Sequence, residues 1–144
     1  MVGTFRDLRV YRAAFTSAMR LFETSKSWPK SETYALTDQV RRSSRAVCAN
    51  LAEAWAKRRY RKHFVSKLTD AEAEANETRS WLEFAVHSGY MSREEYEALD
   101  REYDRLIGGL VRMRTNPDPW CGPAGMVREP AGFYDTNDPS EAED

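Results

Sequence analysis

The residues best placed to do chemistry are cations. Arg41 and Arg45 lie one helical turn apart with Arg42 beside them, and Lys57, Arg58, Arg59, Arg61 and Lys62 crowd together further on, while Glu53 is the one acid between Gln39 and Lys62. Such a concentration can hold phosphate groups by charge and by two-pronged arginine geometry, with an affinity that falls steeply as salt rises. Trp55 and Tyr60 lie among these cations and could stack on an unpaired base. The competing use for arginines is pairing with acids. Asp70, Glu74 and Glu77 form a carboxylate row at spacings of four and three on the next helical segment, so Arg41, Arg42 and Arg45 are expected to pair with them or with a neighbouring subunit. That leaves Lys57 to Lys62 as the expected solvated binding surface.

Stacked carboxylates inside a helical bundle can also hold divalent metal, but the Glu-x-x-His pair of di-iron bundles is absent, and His63 and His87 stand apart. Cys48 and Cys121 form no metal or disulfide spacing. No metal and no cofactor are expected. Asn50 and Glu53 are polar residues near a core edge, yet no Ser/His/Asp, Cys/His or Gly-rich phosphate loop accompanies them. We therefore expect no catalytic residue and no enzymatic activity, with Asn50 and Glu53 fixing helix geometry or a subunit interface.

Four blocks with apolar spacings of three and four must position these groups, which makes the chain all-α. The expected stripes are Leu8, Tyr11, Phe15, Ala18, Phe22; then Leu36, Val40, Ser43, Val47, Leu51, Ala54; then Phe64, Leu68, Ala71, Ala75, Thr78, Leu82, Ala85; and Tyr96, Leu99, Tyr103, Leu106, Leu110, Met113. Ser43 interrupts the second stripe and is expected to set packing register. Trp28-Pro29 closes the first helix, with Ser31 expected as the next N-cap. Gly89 suits the third helix's exit, and Ser92 with Glu95 forms the pattern that opens the fourth. Residues 55–63 hold neither Gly nor Pro, but an unbroken helix from Ser31 to Ser88 would be about 85 Å long. A turn between Lys57 and Arg61 is therefore required.

The 144 residues suit one domain, and the net charge of -1 conceals a strong asymmetry. Residues 1–67 carry 15 Lys+Arg and 5 Asp+Glu, a balance of +10, whereas residues 68–144 carry 7 and 18, a balance of -11. No run is apolar enough to cross a bilayer, and a cytoplasmic location without membrane insertion is expected. Beyond Asn116 the chain holds five of its six prolines and seven acids against Arg128 alone. The expected division is a helical domain over 1–115 and an extended or disordered acidic tail over 116–144, which Trp120, Phe133 and Tyr134 could anchor in part.

Several motifs carry a family resemblance over residues 5–115. They are Phe5-Arg-Asp-Leu-Arg-Val-Tyr, Trp28-Pro29-x-x-Glu32-x-Tyr34-x-Leu36-x-x-Gln39, Arg41-Arg42-Ser43-Ser44, Asn50-Leu51-Ala52-Glu53, the run from Phe64 to Ala75, Glu77-Thr-x-x-Trp81-Leu82, Phe84-Ala85 and Gly89-Tyr90. Together they resemble the four-helix bundle family also called 23S rRNA intervening-sequence or S23 proteins. Ala54 departs from the glycine common after the Asn-x-Ala-Glu motif, and the Pro-rich tail lies outside the pattern. The resemblance implies an antiparallel up-down-up-down bundle assembling as a ring, typically a pentamer. It also implies a nucleic-acid setting, because distant relatives are accessory proteins to reverse transcriptases of diversity-generating retroelements. The function expected is nucleic-acid binding, RNA favoured, through the basic end of helix two. The alternative is a scaffold or accessory subunit of a partner enzyme such as a reverse transcriptase.

Overall fold

The computed structural model describes residues 1–134, and four helices make its body: α1 (Arg9–Ser25), α2 (Asp38–Ala56), α3 (Arg61–His87) and α4 (Arg93–Thr115). Short connections force consecutive helices to run antiparallel, the up-down-up-down arrangement. The contact between α2 and α3 is the most extensive, followed by α3 with α4, and α1 closes the ring against α2 and α4.

Spacing and burial coincide along α3, where Phe64, Leu68, Ala71, Ala75, Thr78, Leu82 and Ala85 are all buried. Alanines at the centre of that row let α2 approach closely. The α2 row from Leu36 to Ala54 is buried throughout, and Ser43 accounts for its polar interruption. Its hydroxyl lies 2.8 Å from that of Thr78, and both side chains are fully buried. One hydroxyl donates to the other, and the acceptor of that bond donates within its own helix, Ser43 to the Val40 carbonyl or Thr78 to that of Glu74, so the polar pair fixes register without an unsatisfied donor. On α4, Leu99, Tyr103, Leu106, Leu110 and Met113 are buried, with Tyr96 half-buried.

The first helix departs from expectation. Its buried face is Val10, Ala14, Ser17, Ala18, Leu21 and Ser25, whereas Tyr11 and Phe22 are half-buried and Phe15 is 51% exposed. Small residues line the core side because α1 packs tightly there, and the larger apolar side chains form a second row on the surface. Ser31 is not an N-cap either. Pro29 starts a 3₁₀ turn (Lys30–Glu32) that runs through a π-turn (Thr33–Thr37) directly into α2.

Both later caps form as their residues dictate. Gly89 adopts φ +80°, the Tyr90 N–H donates to the Ala85 carbonyl at 2.9 Å and the Gly89 N–H to that of Val86 at 3.1 Å, which together make a Schellman motif. The Ser92 hydroxyl accepts the Glu95 N–H at 3.0 Å.

Residues 117–134 pack on the helices through Trp120, Phe133 and Tyr134, the aromatics expected to anchor the tail in part. They form a strap over one end of the bundle, with Trp120, Val127, Phe133 and Tyr134 buried. Its apolar anchors have a docking surface that composition alone does not reveal. The Val2 N–H donates to the Val127 carbonyl at 2.8 Å, and the Trp120 indole N–H donates to Glu129 at 2.9 Å. The other Glu129 oxygen accepts the backbone N–H of Arg9 at 3.0 Å, so the strap supplies a carboxylate to the first turn of α1. The rest of the expected tail, 135–144, lies outside the described residues.

Candidate nucleic-acid interface

The basic run folds as the last turn of α2, a tight reversal and the first turn of α3. The Lys57 N–H bonds back to the carbonyls of Glu53 and Ala54, and the Tyr60 N–H bonds to the Lys57 carbonyl at 2.9 Å. Tyr60 is extended (φ -110°, ψ 99°), and its carbonyl accepts the Phe64 N–H at 3.0 Å as α3 begins. Trp55 and Phe64 must both be buried, and the chain reverses between them without glycine or a positive φ.

This folding divides the candidate binders. Trp55 is buried, so it cannot offer a face to a base. It adjoins the cations in sequence, but its side chain shares the core row of Leu51 and Ala54. The Arg58 guanidinium covers the Trp55 ring at 3.9 Å and donates to the carbonyls of Trp55 (2.8 Å) and Gly122 (3.2 Å), which commits it to holding the strap. Arg61 pairs with Asp118. Lys57, Arg59 and Lys62 remain exposed, and among the described residues no carboxylate lies within ion-pair distance of them. Tyr60 is 60% exposed, with the His63 ring 5.8 Å from its own and the Arg59 guanidinium 6.0 Å away. Lys57, Lys62, His63, Ser66 and Lys67 line a cleft of about 350 Å³ beside it.

Of the three arginines expected to pair with acids, Arg42 alone does so among the described residues. Arg42 bonds to Glu77 at 2.5 Å and lies 3.5 Å from Glu74. Burial holds the Glu74 carboxyl above its ordinary value; a hydrogen bond with Glu77 adds to this and Arg42 opposes it. Arg41 turns instead to α1, donating to the Ser25 hydroxyl at 2.9 Å and the Phe22 carbonyl at 3.4 Å, with its guanidinium over the Phe22 ring. Arg45 is exposed, 5.7 Å from that ring's centre. Asn50 donates to the Ala46 carbonyl within α2. Glu53 pairs with Lys67 at 2.9 Å, and Asp70 with the same lysine at 3.7 Å. No group of three metal-binding side chains occurs among the described residues. Burial pushes the Cys48 thiol up to about 11, which leaves it without nucleophilic thiolate at neutral pH.

A second basic feature was missed in the sequence. The fold places the start of α1, the α2–α3 turn and the end of α4 at one end of the bundle, where Arg9, Arg12 and Arg128 line another cleft with Asp7 and Glu129. Arg6, Arg9 and Arg12 repeat at spacing three, a signal that antiparallel topology would have joined to Lys57–Lys62. Burial raises the Glu129 carboxyl above its ordinary value, opposed by its bonds from Trp120 and the Arg9 backbone. The opposite end is mixed in charge, with Asp38, Glu94 and Glu97 exposed beside Lys26, Lys30 and Arg93.

The profile of the 23S rRNA-intervening sequence protein family matches residues 6–112. The chain belongs to this family. A crystal structure of a protein of unknown function from the S23 ribosomal protein family of Bacteroides thetaiotaomicron is similar in fold, with a TM-score of 0.67 and 28% identity over 74% of this chain and 96% of that one. No curated protein matches the chain.

Within the family match lie the whole α2–α3 turn and the arginines at the start of α1. The strap that pins Arg58 and caps α1 lies beyond it, so this chain adds to the 23S rRNA-intervening sequence fold a segment that orders one basic end. No described helix is long and apolar enough to cross a membrane.

Proposed function

We propose that the protein is a non-enzymatic, homo-oligomeric bundle in the cytoplasm that binds nucleic acid, RNA in preference to DNA, through the basic end at the α2–α3 turn. The observation that carries this reading is that Lys57, Arg59 and Lys62 are exposed together with no ion-pair partner among the described residues, although acids are abundant elsewhere. Cations held this way exchange condensed counterions of a polyanion for direct phosphate contacts. The preference for RNA is supported by the family's description. Self-association, a pentameric ring in the leading form, is supported by the surface row on α1, where Tyr11 stacks with Phe15 at 6.2 Å and Met19 is 46% exposed. A ring would repeat the basic end once per subunit.

A mobility-shift titration at low and rising salt tests this function. Binding to mixed-sequence RNA that weakens steeply with salt is expected, and absence of binding to RNA and DNA at low salt would sink it. The exposure of cations at the α2–α3 turn beside a strongly acidic second half of the chain favours a second reading, a scaffold or accessory subunit whose basic and acidic faces join subunits to each other or to a partner enzyme such as a reverse transcriptase. Charge reversal at Lys57, Arg59 and Lys62 separates the two in size-exclusion chromatography with light scattering. Nucleic-acid binding predicts an unchanged oligomer with lost affinity, whereas the scaffold reading predicts disturbed assembly.

A further inference from the structure

We propose that the α2–α3 turn takes single-stranded nucleic acid, with one unpaired base stacked on Tyr60 and the adjoining phosphate held by Lys57, Lys62 and Ser66 in the neighbouring cleft. This rests on the nucleic-acid reading above and specifies its ligand. Tyr60 is an aromatic ring displayed at the tip of a charged turn, 60% exposed, where burial gives no reason for its presence. Its backbone is nevertheless fixed on both sides, by the bond from its own N–H to Lys57 and by the bond its carbonyl accepts from Phe64. A ring on a rigid mount loses little freedom when a base stacks on it.

The surroundings complete such a platform. His63 lies 5.8 Å away with its ring tilted 53°, and Arg59 is 6.0 Å from the tyrosine centroid. Both flank the ring and can contact a base seated on it, by stacking or by cation–π attraction. The adjoining cleft, at about 350 Å³, lies at the small-ligand end of pocket sizes and suits one nucleotide's phosphate and sugar. Lys57 and Lys62 bring charge to it, while Ser66 brings a hydroxyl donor. A duplex keeps its base faces inside its own stack, so it would engage the lysines and leave Tyr60 unused. The pairing of an exposed ring with a nucleotide-sized basic cleft therefore selects a strand whose bases are free.

Fluorescence anisotropy on the full chain tests this with a labelled mixed-sequence 12-nucleotide RNA, its DNA equivalent and the corresponding duplexes at one salt concentration. The wild type is expected to bind the single strands about tenfold more tightly than the duplexes, and Tyr60→Leu to lose about that factor on single strands alone. Tyr60→Phe should keep the preference, and Lys57→Gln with Lys62→Gln should weaken both kinds of ligand. Circular dichroism should show all variants folded, because these side chains are exposed. Equal affinity for duplex and single strand, or a preference that survives Tyr60→Leu, would overturn the proposal while leaving nucleic-acid binding standing. Failure to bind either would remove both.

Discussion

Replacing Lys57, Arg59 and Lys62 together by glutamine should change the salt dependence of binding by a definite amount. These three cations have no carboxylate within ion-pair distance among the described residues; in the proposed complex Lys57 and Lys62 share the phosphate of the cleft, and Arg59 is available for a second. Every single-strand phosphate neutralised contributes about 0.7 to the slope of log affinity against log salt, so the triple variant should lose about 1.4 from that slope. Over a fourfold rise in salt, from about 50 to 200 mM, the variant should escape about 7-fold of the weakening that the wild type suffers. Arg58→Gln is the contrasting perturbation. Its guanidinium already serves Trp55 and the Gly122 carbonyl, so its removal should loosen the strap and lower the unfolding midpoint with little effect on the slope. Anisotropy titrations at five salt concentrations, with urea unfolding in parallel, measure both quantities. An unchanged slope in the triple variant, or an equal slope loss in a stably folded Arg58→Gln protein, would refute this division of the basic run.

The strap yields further expectations. Trp120 is fully buried and its indole N–H is bonded to Glu129, so Trp120→Ala should cost about 3–5 kcal/mol in urea unfolding. Gly109 sits where a Cβ would come within 2.8 Å of the Tyr134 ring and 2.9 Å of Val10. Gly109→Ala should therefore destabilise, because overpacking of about 1–3 kcal/mol exceeds a helix-propensity gain of about 1; a raised melting temperature would contradict this. Truncation after Tyr134 removes Asp135, Asp138, Glu141, Glu143 and Asp144 while sparing the strap. If those acids compete with polyanions for the basic end, the truncated protein should bind RNA more tightly in the same mobility-shift assay, and unchanged affinity would reject the competition.

The legibility of the fold depended on which residue types bear each signal. On α3 every expected core position is buried, because large apolar residues and alanines keep one row over the whole helix. On α1 two rows compete: the aromatic row attracts a periodicity reading, while the row of Val10, Ala14, Ser17, Ala18 and Leu21 does the packing. Small residues beside close neighbours bury well but score weakly for hydrophobicity, so the core face was read one residue out of phase. The strap was legible only in its aromatic anchors, Trp120, Phe133 and Tyr134, and not in its path. Proline and acid content suggested a solvated tail, and the sites that receive Trp120, Phe133 and Tyr134 exist only once the helices are assembled. At the basic run, spacing identified the cations but not their partners; Arg58 and Arg61 are engaged by Gly122 and Asp118, more than fifty positions away in the chain.

The helix ends show why the remaining cations are informative. A helix favours acids in its first turn and bases in its last, through the partial charges of its unpaired N–H and C=O groups. The fourth helix obeys at both ends, with Glu94 and Glu95 at its start and Arg112 and Arg114 at its finish. At the start of α1, with no acid of its own in the first turn, Glu129 of the strap supplies one. The third helix does the reverse, opening on Arg61, Lys62 and His63 with no acid in its first turn and no side-chain cap. Asp118 answers Arg61, and Lys57 sits at the C-terminal end of α2, where a cation is favourable and the Glu53 carboxylate attracts it, but Lys62 faces the positive start of α3 with no carboxylate within ion-pair distance among the described residues. Departures from local rules concentrate where function makes its own demands, and the start of α3 is such a departure in the nucleic-acid reading proposed above. Under the proposed function, a phosphate bound at Lys62 would neutralise that lysine and satisfy the start of α3 together, so a charge unfavourable in the free protein would become favourable on binding.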